Sequence, residues 1–487
     1  MAQAVTAVKL HAKSYINGKW VEGEGETVEV ISPIDGSVIG TFKACSKEQV
    51  DEAVKGAKEA QKKWAALPVL DRLDIINRAI ELWDERGEEM AQLISKEMGK
   101  TIREAREEIY DMLLPISKNV EGDVLRFRGE TLPSTADRSN SKKIMTTFVP
   151  IGVIGVITPW NFPVSISSEV LPHALAMGNA TVYKPSEKTP FSTELWVRLW
   201  EEAGVPKGVL NMVHGLAEVG SSVVEHDDVG AISFTGSTAV GEKIAKAAGL
   251  KKHLFELGGS DPMIIMDDAN IEEAVKSAII GCFYNAGQVC TCTERVLVHE
   301  DVHDEFVSKL AAEVRKIRVG NPLDEESDMG PLSSQAVLNK INAHVQDAVE
   351  KGAEIVCGGT HEDLYYQPTI LTGVTPEMEV GSEETFGPVA PIIKFSTREE
   401  AVEIANDTKY GLTASVFTSG LENAWYLSDH IQSGMVYINE DTNYWELLAP
   451  FGGVKKSGNG GRVLGKYAVE GVCEIKQVVM EPTKVKK

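Results

Sequence analysis

The chain has few cysteines and no spacing typical of a bound metal. Six cysteines in 487 residues are too few for a disulfide scaffold, so we expect reduced thiols. Cys290 and Cys292 are separated by one residue, and no second cysteine or histidine pair lies near them in the sequence. A zinc site needs four ligands, so we predict that the chain holds no metal.

The chain also lacks an excess of positive charge and any long apolar run. Its 49 Lys and Arg against 72 Asp and Glu give a net charge of -23. Like charge lowers association with nucleic acid and with anionic membranes, so we expect neither as a partner. No run approaches the ~18–20 apolar residues that cross a bilayer, and the first residues do not resemble a secretory signal. We therefore expect a cytoplasmic protein.

Length and patterning predict an α/β protein with more than one domain. A single core stops growing near ~250–300 residues, and this chain is longer. Helical spacing dominates residues 46–116, and the polar stretch after it is either an extended ribbon or a surface loop. From Ile151 onward, short apolar runs alternate with helical segments, which is typical of parallel strands covered on both faces. The C-terminal segment EGVCEIKQVVMEP is strand-like and has no obvious local partner.

Two segments carry candidate reactive groups. Cys290 follows Gly287 and Gln288 in FYNAGQVCTC, and an accessible cysteine beside hydrogen-bond donors can act as a nucleophile. A free cysteine is more often a small buried apolar residue. Glu256 ends an apolar strand in FELGGSDPMII, where burial would raise its pKa toward that of a general base. A surface or capping glutamate is the alternative.

Further segments suggest an oxyanion site and a cofactor site. Asn161 lies between two prolines in ITPWNFPVS, where it is either a fixed hydrogen-bond donor or a turn residue. Gly236 and Gly241 lie at a strand-to-helix turn, where glycines let a phosphate approach backbone N–H groups. Lys184 and Glu187 follow another strand, where an acidic side chain can bind a ribose diol or simply be solvated.

The order of these segments resembles that of the aldehyde dehydrogenase superfamily. TPWNFP, KPSEKTP, FTGST, ELGG, GQVC, EETFGPV and PFGGVKKSG occur in the family's order and at its usual spacings, from YINGKW near the start to the last strand. Parts of the chain are similar to the succinate-semialdehyde and lactaldehyde branch. Seven collinear motifs make a chance similarity very improbable.

The resemblance implies an aldehyde dehydrogenase-like α/β fold with three parts. These are a Rossmann-type NAD-binding domain (1–127 and 148–258), an α/β catalytic domain (259–467), and a small β oligomerisation arm (128–147 and 468–487). Family members are dimers or tetramers, so we expect a homodimer or homotetramer in which the ribbon and the last strand join a neighbouring subunit.

The resemblance also implies a reaction on a small-molecule aldehyde. Cys290 would attack the aldehyde carbon, and the Asn161 side chain and the Cys290 backbone N–H would hold the oxyanion. After hydride transfer, Glu256 would activate the water that hydrolyses the thioester. A CoA-acylating reaction is disfavoured because such relatives generally lack the glutamate. A non-catalytic binding protein on the same fold is disfavoured because all three residues are present.

The resemblance places the cofactor on eight residues and favours NAD over NADP. Glu187 is the discriminating residue, because relatives that use NADP commonly have a small neutral residue there. The residues assigned to the cofactor are Trp160, Lys184, Glu187, Gly236, Ser237, Leu257, Glu384 and Phe386.

The substrate is less constrained. Succinate-semialdehyde enzymes typically have arginines where this chain has Glu169 and Tyr284, so an ω-carboxylate substrate is disfavoured unless Arg295 reaches it. Tyr444 and Trp445 would favour a neutral aromatic or short hydroxy-aldehyde, or else belong to the core or an interface. The residues assigned to the substrate pocket are Phe162, Glu169, Tyr284, Thr291, Tyr444 and Trp445.

Cys292 resembles the second thiol of some succinate-semialdehyde dehydrogenases, where the pair can form a regulatory disulfide. Such a bridge between cysteines one residue apart is strained and easily reduced. We expect an inert Cys292.

Overall fold

The computed structural model describes residues 10–136, 138 and 141–482. Residues 1–9 and 483–487, at the ends of the predicted NAD-binding domain and C-terminal strand, lie outside the described residues. So do residues 137, 139 and 140 of the predicted ribbon.

The first large sheet has seven strands. The first five in the spatial order given below run parallel to one another. Val153–Ile157 and Ala180–Lys184 are buried along their whole length, as expected for strands covered on both faces. The chain leaves Val153–Ile157 toward one neighbour and later returns on its other side, so a crevice opens at the carboxyl end of this strand. In spatial order the strands are Lys252–Glu256, Ala231–Thr235, Val153–Ile157, Ala180–Lys184, Leu210–Met212, Ser14–Ile16 and Lys19–Val21.

Helices cover both faces of this sheet. The predicted helical stretch is divided into several helices, the first of which begins at Lys47, where Ser46 before the helix and Gln49 in its first turn form a capping box. One π-helical turn, Glu108–Leu113, interrupts the last of them. The α-helices are Lys47–Ala65, Val69–Glu85, Gly87–Met98, Ile102–Glu107, Leu114–Arg126, Ser165–Ala176, Pro190–Glu202, Ala217–Glu225 and Thr238–Ala248.

The second large sheet also has seven strands and encloses a separate hydrophobic core. In spatial order they are Glu354–Cys357, Thr369–Thr372, Val389–Phe395, Thr293–His299, Asp261–Ile265, Thr413–Phe417 and Met435–Ile438. The later α-helices are Ile271–Phe283, His303–Val314, Gln335–Glu350, Glu379–Ser382, Arg398–Asn406, Leu421–His430 and Gly465–Gly471. Short 3-10 turns span Tyr284–Gly287 and Lys455–Ser457. The predicted α/β class with two parallel-sheet units is confirmed.

The C-terminal strand has a partner within its own chain. Cys473–Met480 pairs antiparallel with Lys143–Pro150 along its full length, and Thr131–Leu132 adds a short third strand. Two smaller sheets complete the fold. They consist of Leu10–Ala12, Val38–Lys43 and Thr27–Ile31 in one sheet, and His361–Glu362 with Tyr365–Tyr366 in the other. Within the described ranges, every helix is too short or too polar to span a bilayer.

The two large units are joined by a close backbone crossing next to the helix Ile102–Glu107. The backbone N–H of Ile102 donates to the carbonyl of Pro322 at 2.7 Å. Arg103 donates to the Ser327 carbonyl and to the Asp328 carboxylate, both at 2.9 Å. A Cβ on Gly330 would lie 1.9 Å from the carbonyl oxygen of Gly99, so only glycine fits this crossing.

We predict that Gly330→Ala destabilises the protein. The added methyl group meets backbone rather than a flexible side chain, and overpacking of this kind costs about 1–3 kcal/mol. The apparent unfolding temperature, measured by differential scanning fluorimetry, should fall.

Gly220→Ala is the matched control. Gly220 lies within the helix Ala217–Glu225, and a Cβ there meets no atom within 4 Å. Alanine is favoured over glycine in a helix by about 1 kcal/mol, so this variant should be at least as stable as the parent chain. Equal unfolding temperatures for the two variants would contradict the proposed crossing.

Candidate active site

Two cavities meet at Cys290 and Glu256. The first cavity is lined mainly by apolar and acidic side chains and is called the substrate cavity below. The second lies at the carboxyl end of the first large sheet, and both are lined by Cys290 and Glu256. Asn161 lines the second cavity. The three residues predicted to be catalytic are therefore brought together at one junction.

Cys290 ends a loop with an unusual backbone. Asn285 and Ala286 have φ angles of 51° and 54°, in the left-handed region that residues with a Cβ rarely adopt. Buried polar contacts hold this turn: the Asn285 N–H donates to Glu104 at 2.7 Å, and the Gln288 side chain donates to the Asn285 carbonyl at 3.0 Å. The turn leaves the Cys290 thiol half-buried at the junction.

Asn161 is fixed against the same loop. Its side-chain Nδ2 donates to the Gln288 carbonyl at 3.1 Å, which uses one of its two amide hydrogens. Among the described residues, no acceptor is bonded to the other hydrogen or to the backbone N–H of Cys290. Two free donors next to a thiol are the arrangement that an oxyanion site requires.

Glu256 lies at the end of Lys252–Glu256 with a buried carboxyl group. Its Oε2 has no hydrogen-bond partner among the described residues, and its Oε1 lies close to Gly452, where a Cβ would approach it to 2.6 Å. Burial raises the pKa of this carboxyl well above its usual range, and the charge of Glu169 adds to the shift. In its ionised form, a carboxylate with a raised pKa is a stronger base toward water than an ordinary carboxylate.

The Cys290 thiol has a raised pKa as well. Burial is the main cause, and the nearby carboxylates of Glu169, Asp261, Glu256 and Glu384 raise the pKa further. A neutral thiol is a weak nucleophile, so a base beside it has to accept its proton during the attack.

A crevice for a long ligand runs from Cys290 across the first large sheet. The second cavity continues into a third that is lined by Lys184 and Glu187, and the two share Trp160 and Gly236. The helix Thr238–Ala248 begins at this crevice, and the side chain of its N-cap residue Ser237 makes no capping bond. Its first N–H groups are therefore available to a phosphate, which is what a dinucleotide requires.

The carboxylate of Glu384 packs against the two glycines that follow Leu257. A Cβ on Gly258 would lie 2.5 Å from Glu384 Oε1, and the N–H of Gly259 donates to that oxygen at 3.3 Å. Phe386, with a φ of 60°, stands edge-on to Trp160 with ring centroids 5.8 Å apart. The eight residues assigned to the cofactor thus all border this crevice. Those at its Cys290 end are Leu257, Ser237, Glu384 and Phe386.

Four of the six predicted substrate residues line the substrate cavity, namely Phe162, Glu169, Tyr284 and Trp445. Thr291 does not, because its side chain is buried and donates to Asn443 Oδ1 at 2.8 Å. Tyr444 does not either, since it is 42% exposed and packs against Tyr437. The structure thus places these two side chains outside the lining of the substrate cavity.

Arg295 does not reach the substrate cavity. Its side chain is fully buried and donates to the carbonyl groups of Ser260, Ile404 and Ala405. The Arg295 guanidinium is therefore not available to bind the carboxylate of a semialdehyde substrate.

The substrate cavity has further lining residues that the motifs did not identify. Asp441 and Asn443 precede Tyr444 and Trp445, which the sequence analysis singled out, but a loop has no regular alternation that predicts which of its side chains face a cavity. Glu107, Asp111 and Met112 come from the π-helical region, far away in sequence, and no local signal marks them. Among the described residues, no group of three acidic, histidine or cysteine side chains is placed to hold a metal.

Comparison with known proteins identifies the family. The model of the aldehyde dehydrogenase family matches residues 20–478. The chain is 38% identical to a mitochondrial succinate-semialdehyde dehydrogenase of Arabidopsis thaliana, covering 97% of this chain and 89% of that protein. It is 39% identical to the benzaldehyde dehydrogenase [NAD(+)] of Pseudomonas putida, covering 93% of each.

A solved structure agrees over the whole fold. The NADP-dependent glyceraldehyde-3-phosphate dehydrogenase of Bacillus halodurans, complexed with NADP, superposes with a TM-score of 0.94 at 34% identity. The match covers 97% of this chain and 100% of that one. This chain belongs to the aldehyde dehydrogenase family.

Proposed function

We propose that this protein oxidises an aldehyde to its carboxylic acid with NAD, through a covalent intermediate on Cys290. The observation that carries the proposal is that Cys290 and Glu256 both border the substrate cavity and the cofactor crevice. A small molecule bound in one and a dinucleotide bound in the other would therefore meet at the thiol.

The first step is attack of the Cys290 sulfur on the aldehyde carbon, which forms a C–S bond and a thiohemiacetal. The negative charge that develops on the oxygen is stabilised by the Asn161 amide and the Cys290 N–H, whose positions are fixed by the Gln288 loop. The thiol proton passes to a carboxylate at the junction, because burial keeps the thiol neutral beforehand.

NAD, when bound, supplies the hydride acceptor. The chain's own residues hold it: Lys184 and Glu187 at the ribose end of the crevice, and Glu384 and Phe386 at the Cys290 end. The C–H bond of the thiohemiacetal breaks, its hydrogen leaves as hydride to that acceptor, and the C=O bond re-forms, so that the Cys290 adduct is now a thioester. Glu256 in its ionised form takes a proton from a water molecule that attacks this carbon, the C–S bond breaks, the proton passes from Glu256 to the Cys290 sulfur, and the acid is released.

The acidic Glu187 is the basis for preferring NAD. Its Oε2 accepts from Lys184 Nζ at 3.4 Å, and the side chain is about half exposed at the crevice. A carboxylate there can accept hydrogen bonds from a ribose diol and repels a 2′-phosphate.

The substrate is proposed to be an aldehyde that carries no carboxylate or other negatively charged group. The relatives named above act on both a semialdehyde and benzaldehyde, so family membership leaves the substrate open. The aromatic lining by Phe162, Tyr284 and Trp445 supports the neutral aromatic or short hydroxy-aldehyde expected from the sequence. A succinate-semialdehyde-like substrate is the second candidate, but it has no arginine to receive its carboxylate.

The homodimeric or homotetrameric state and the cytoplasmic location are also proposals. The apolar side chains of Ile475 and Val479 on the outer strand of the arm are exposed, which supports a further strand or subunit packing there.

We predict that Cys290→Ala abolishes NADH formation, whereas Glu256→Gln permits one rapid turnover followed by little further reaction. The glutamine variant can still form the thioester but cannot activate water. Rapid-mixing absorbance at 340 nm with a panel of aldehydes separates the burst from the steady state. Cys357→Ala, which removes a half-buried thiol in another strand, is the control and should keep the parent rate. A normal steady-state rate for Glu256→Gln would refute its role.

Alkylation should reveal the raised pKa of Cys290. A raised pKa means that the thiolate forms only as the pH rises, so the rate of reaction with iodoacetamide should still be increasing at pH ~9, where an ordinary thiol of pKa ~8.5 is mostly ionised. Mass spectrometry of the peptide containing Cys290 gives the rate at each pH. Full reactivity already at pH ~7 would contradict the prediction.

Cofactor choice should depend on Glu187. We expect NADH to bind more tightly than NADPH, and Glu187→Gln to reduce that preference about tenfold, which corresponds to about 1.4 kcal/mol. Fluorescence titration of each dinucleotide gives the ratio of dissociation constants. Glu218→Gln, an exposed carboxylate on the neighbouring helix, should leave the ratio unchanged. Tighter binding of NADPH to the parent protein would overturn the assignment.

A further inference from the structure

The substrate cavity is lined by several carboxyl groups and by no basic residue among those described. Glu169, Glu256 and Asp441 are buried, while Glu107 and Asp111 are exposed at its edge. No lysine, arginine or histidine of the described chain lines it. Acidic groups gathered in a mostly apolar cavity are costly unless a positive group joins them.

Glu169 is the carboxyl group without a partner. It lies in the helix Ser165–Ala176, is only 3% exposed and lines the substrate cavity. Its carboxyl oxygens make no hydrogen bond or ion pair with any described residue. Burial raises its pKa well above the usual range, and no donor or cation among the residues that the structure describes offsets that effect. Its environment thus lacks the positive charge that would stabilise it.

Three basic residues act on other carboxyl groups of the lining. Burial raises the pKa of Glu107, and the charges of Lys100 and Arg103 act to lower it. Burial likewise raises the pKa of Glu256, and the charge of Arg462 acts to lower it. All three basic residues are bonded elsewhere. Lys100 pairs with Glu108 at 2.8 Å, with both side chains fully buried. Arg103 pairs with Asp328, and Arg462 donates to the Gly453 and Gly461 carbonyls. None of the three lines the substrate cavity.

A π-helical turn brings acidic residues to the cavity edge. In Glu108–Leu113 the hydrogen bonds widen to i→i+5, as between the N–H of Leu114 and the carbonyl of Ile109. Asp111 on this turn and Glu107 before it both line the cavity, while Glu108 faces inward. Wide turns of this kind are frequent at functional sites, where they direct side chains that a regular helix would not.

Aromatic rings complete the lining. The rings of Phe162 and Tyr284 are nearly parallel, with centroids 6.4 Å apart. The ring centroids of Trp445 and Phe451 are 5.2 Å apart. Aromatic faces attract cations, and the attraction grows when water is excluded. Lys100 Nζ already lies 3.6 Å from the centroid of the Phe162 ring, so the faces of Tyr284 and Trp445 are the ones left for another cation. These two rings and the unpartnered Glu169 are together suited to an ammonium group.

We propose that, among the aldehydes without a negative charge considered above, the preferred substrate is not a neutral one but one that also carries an ammonium group, which binds in the substrate cavity against Glu169. This inference rests on the proposed function, since it assumes that the aldehyde carbon reaches Cys290. A neutral aldehyde leaves Glu169 without a partner, and an anionic one is repelled by every charged group of the lining.

Three aldehydes of similar size test the proposal with NAD as cofactor. They are 3-aminopropanal, its neutral isostere butanal, and the anionic malonate semialdehyde. The amine of the first is charged at pH 7, as other primary alkylamines are. We expect kcat/KM for 3-aminopropanal to exceed that for butanal at least tenfold, and malonate semialdehyde to be the poorest of the three.

A variant tests the assigned residue. Glu169→Gln keeps the size of the side chain and removes its charge, so the ratio of kcat/KM for 3-aminopropanal to that for butanal should fall at least tenfold. The ratio, unlike either rate, is insensitive to a general loss of folded enzyme. Propylamine, which has no aldehyde, should inhibit butanal oxidation competitively in the parent protein, with at least a tenfold higher inhibition constant in the variant. Glu300→Gln, an exposed carboxylate outside the cavity, should leave the ratio and the inhibition unchanged.

The outcomes separate this inference from the proposed function. If neither these three aldehydes nor any aldehyde of the wider panel yields NADH, the proposed function fails. If only aldehydes of the wider panel are oxidised, the function stands and the ammonium inference is overturned. If butanal or malonate semialdehyde is oxidised as efficiently as 3-aminopropanal, the function stands and the ammonium inference is overturned. An unchanged ratio in Glu169→Gln would overturn the role of Glu169.

Discussion

The position of the Cys290 thiol depends on a costly backbone turn just before it. Asn285 and Ala286 both have left-handed φ angles, and such conformations cost about 1–3 kcal/mol each for residues with a Cβ. Asparagine tolerates this region better than alanine does. Buried hydrogen bonds to Glu104 and through Gln288, which also accepts from the Ser333 N–H at 2.9 Å, offset the cost. A relaxed loop would carry the thiol away from the junction of the two cavities.

One short stretch of helix supports both halves of the site. Glu104 holds the turn before Cys290, while Glu108 accepts from the N–H groups of Val164 and Ser165 at the start of the helix that carries Glu169. Arg103 on the same stretch binds Asp328 in the second unit. The relative placement of thiol, amide and substrate cavity is therefore set by residues that take no part in the chemistry.

Buried carboxyl groups at the site lower the stability of the fold when they are ionised. The carboxyl groups of Glu256, Glu169 and Asp261 have pKa values raised by burial, so the folded chain binds their protons more tightly than the unfolded chain does. Their contribution to stability is greatest below the usual pKa of a carboxyl group and declines as the pH rises toward the raised value. Such groups are retained in proteins where activity requires them, at a cost to stability.

The amino-acid sequence by itself determined the fold class, the family resemblance and the order of the site segments, because buried parallel strands and glycine turns leave local patterns. It also pointed to Glu169 as an unusual residue. Only the tertiary structure decided that Thr291 and Tyr444 leave the substrate cavity, that Arg295 is engaged elsewhere, and that Glu107 and Asp111 reach its edge. The physical reason is that a side chain's neighbours depend on backbone rotation within loops and on a π-helical turn, neither of which has a readable period in the sequence.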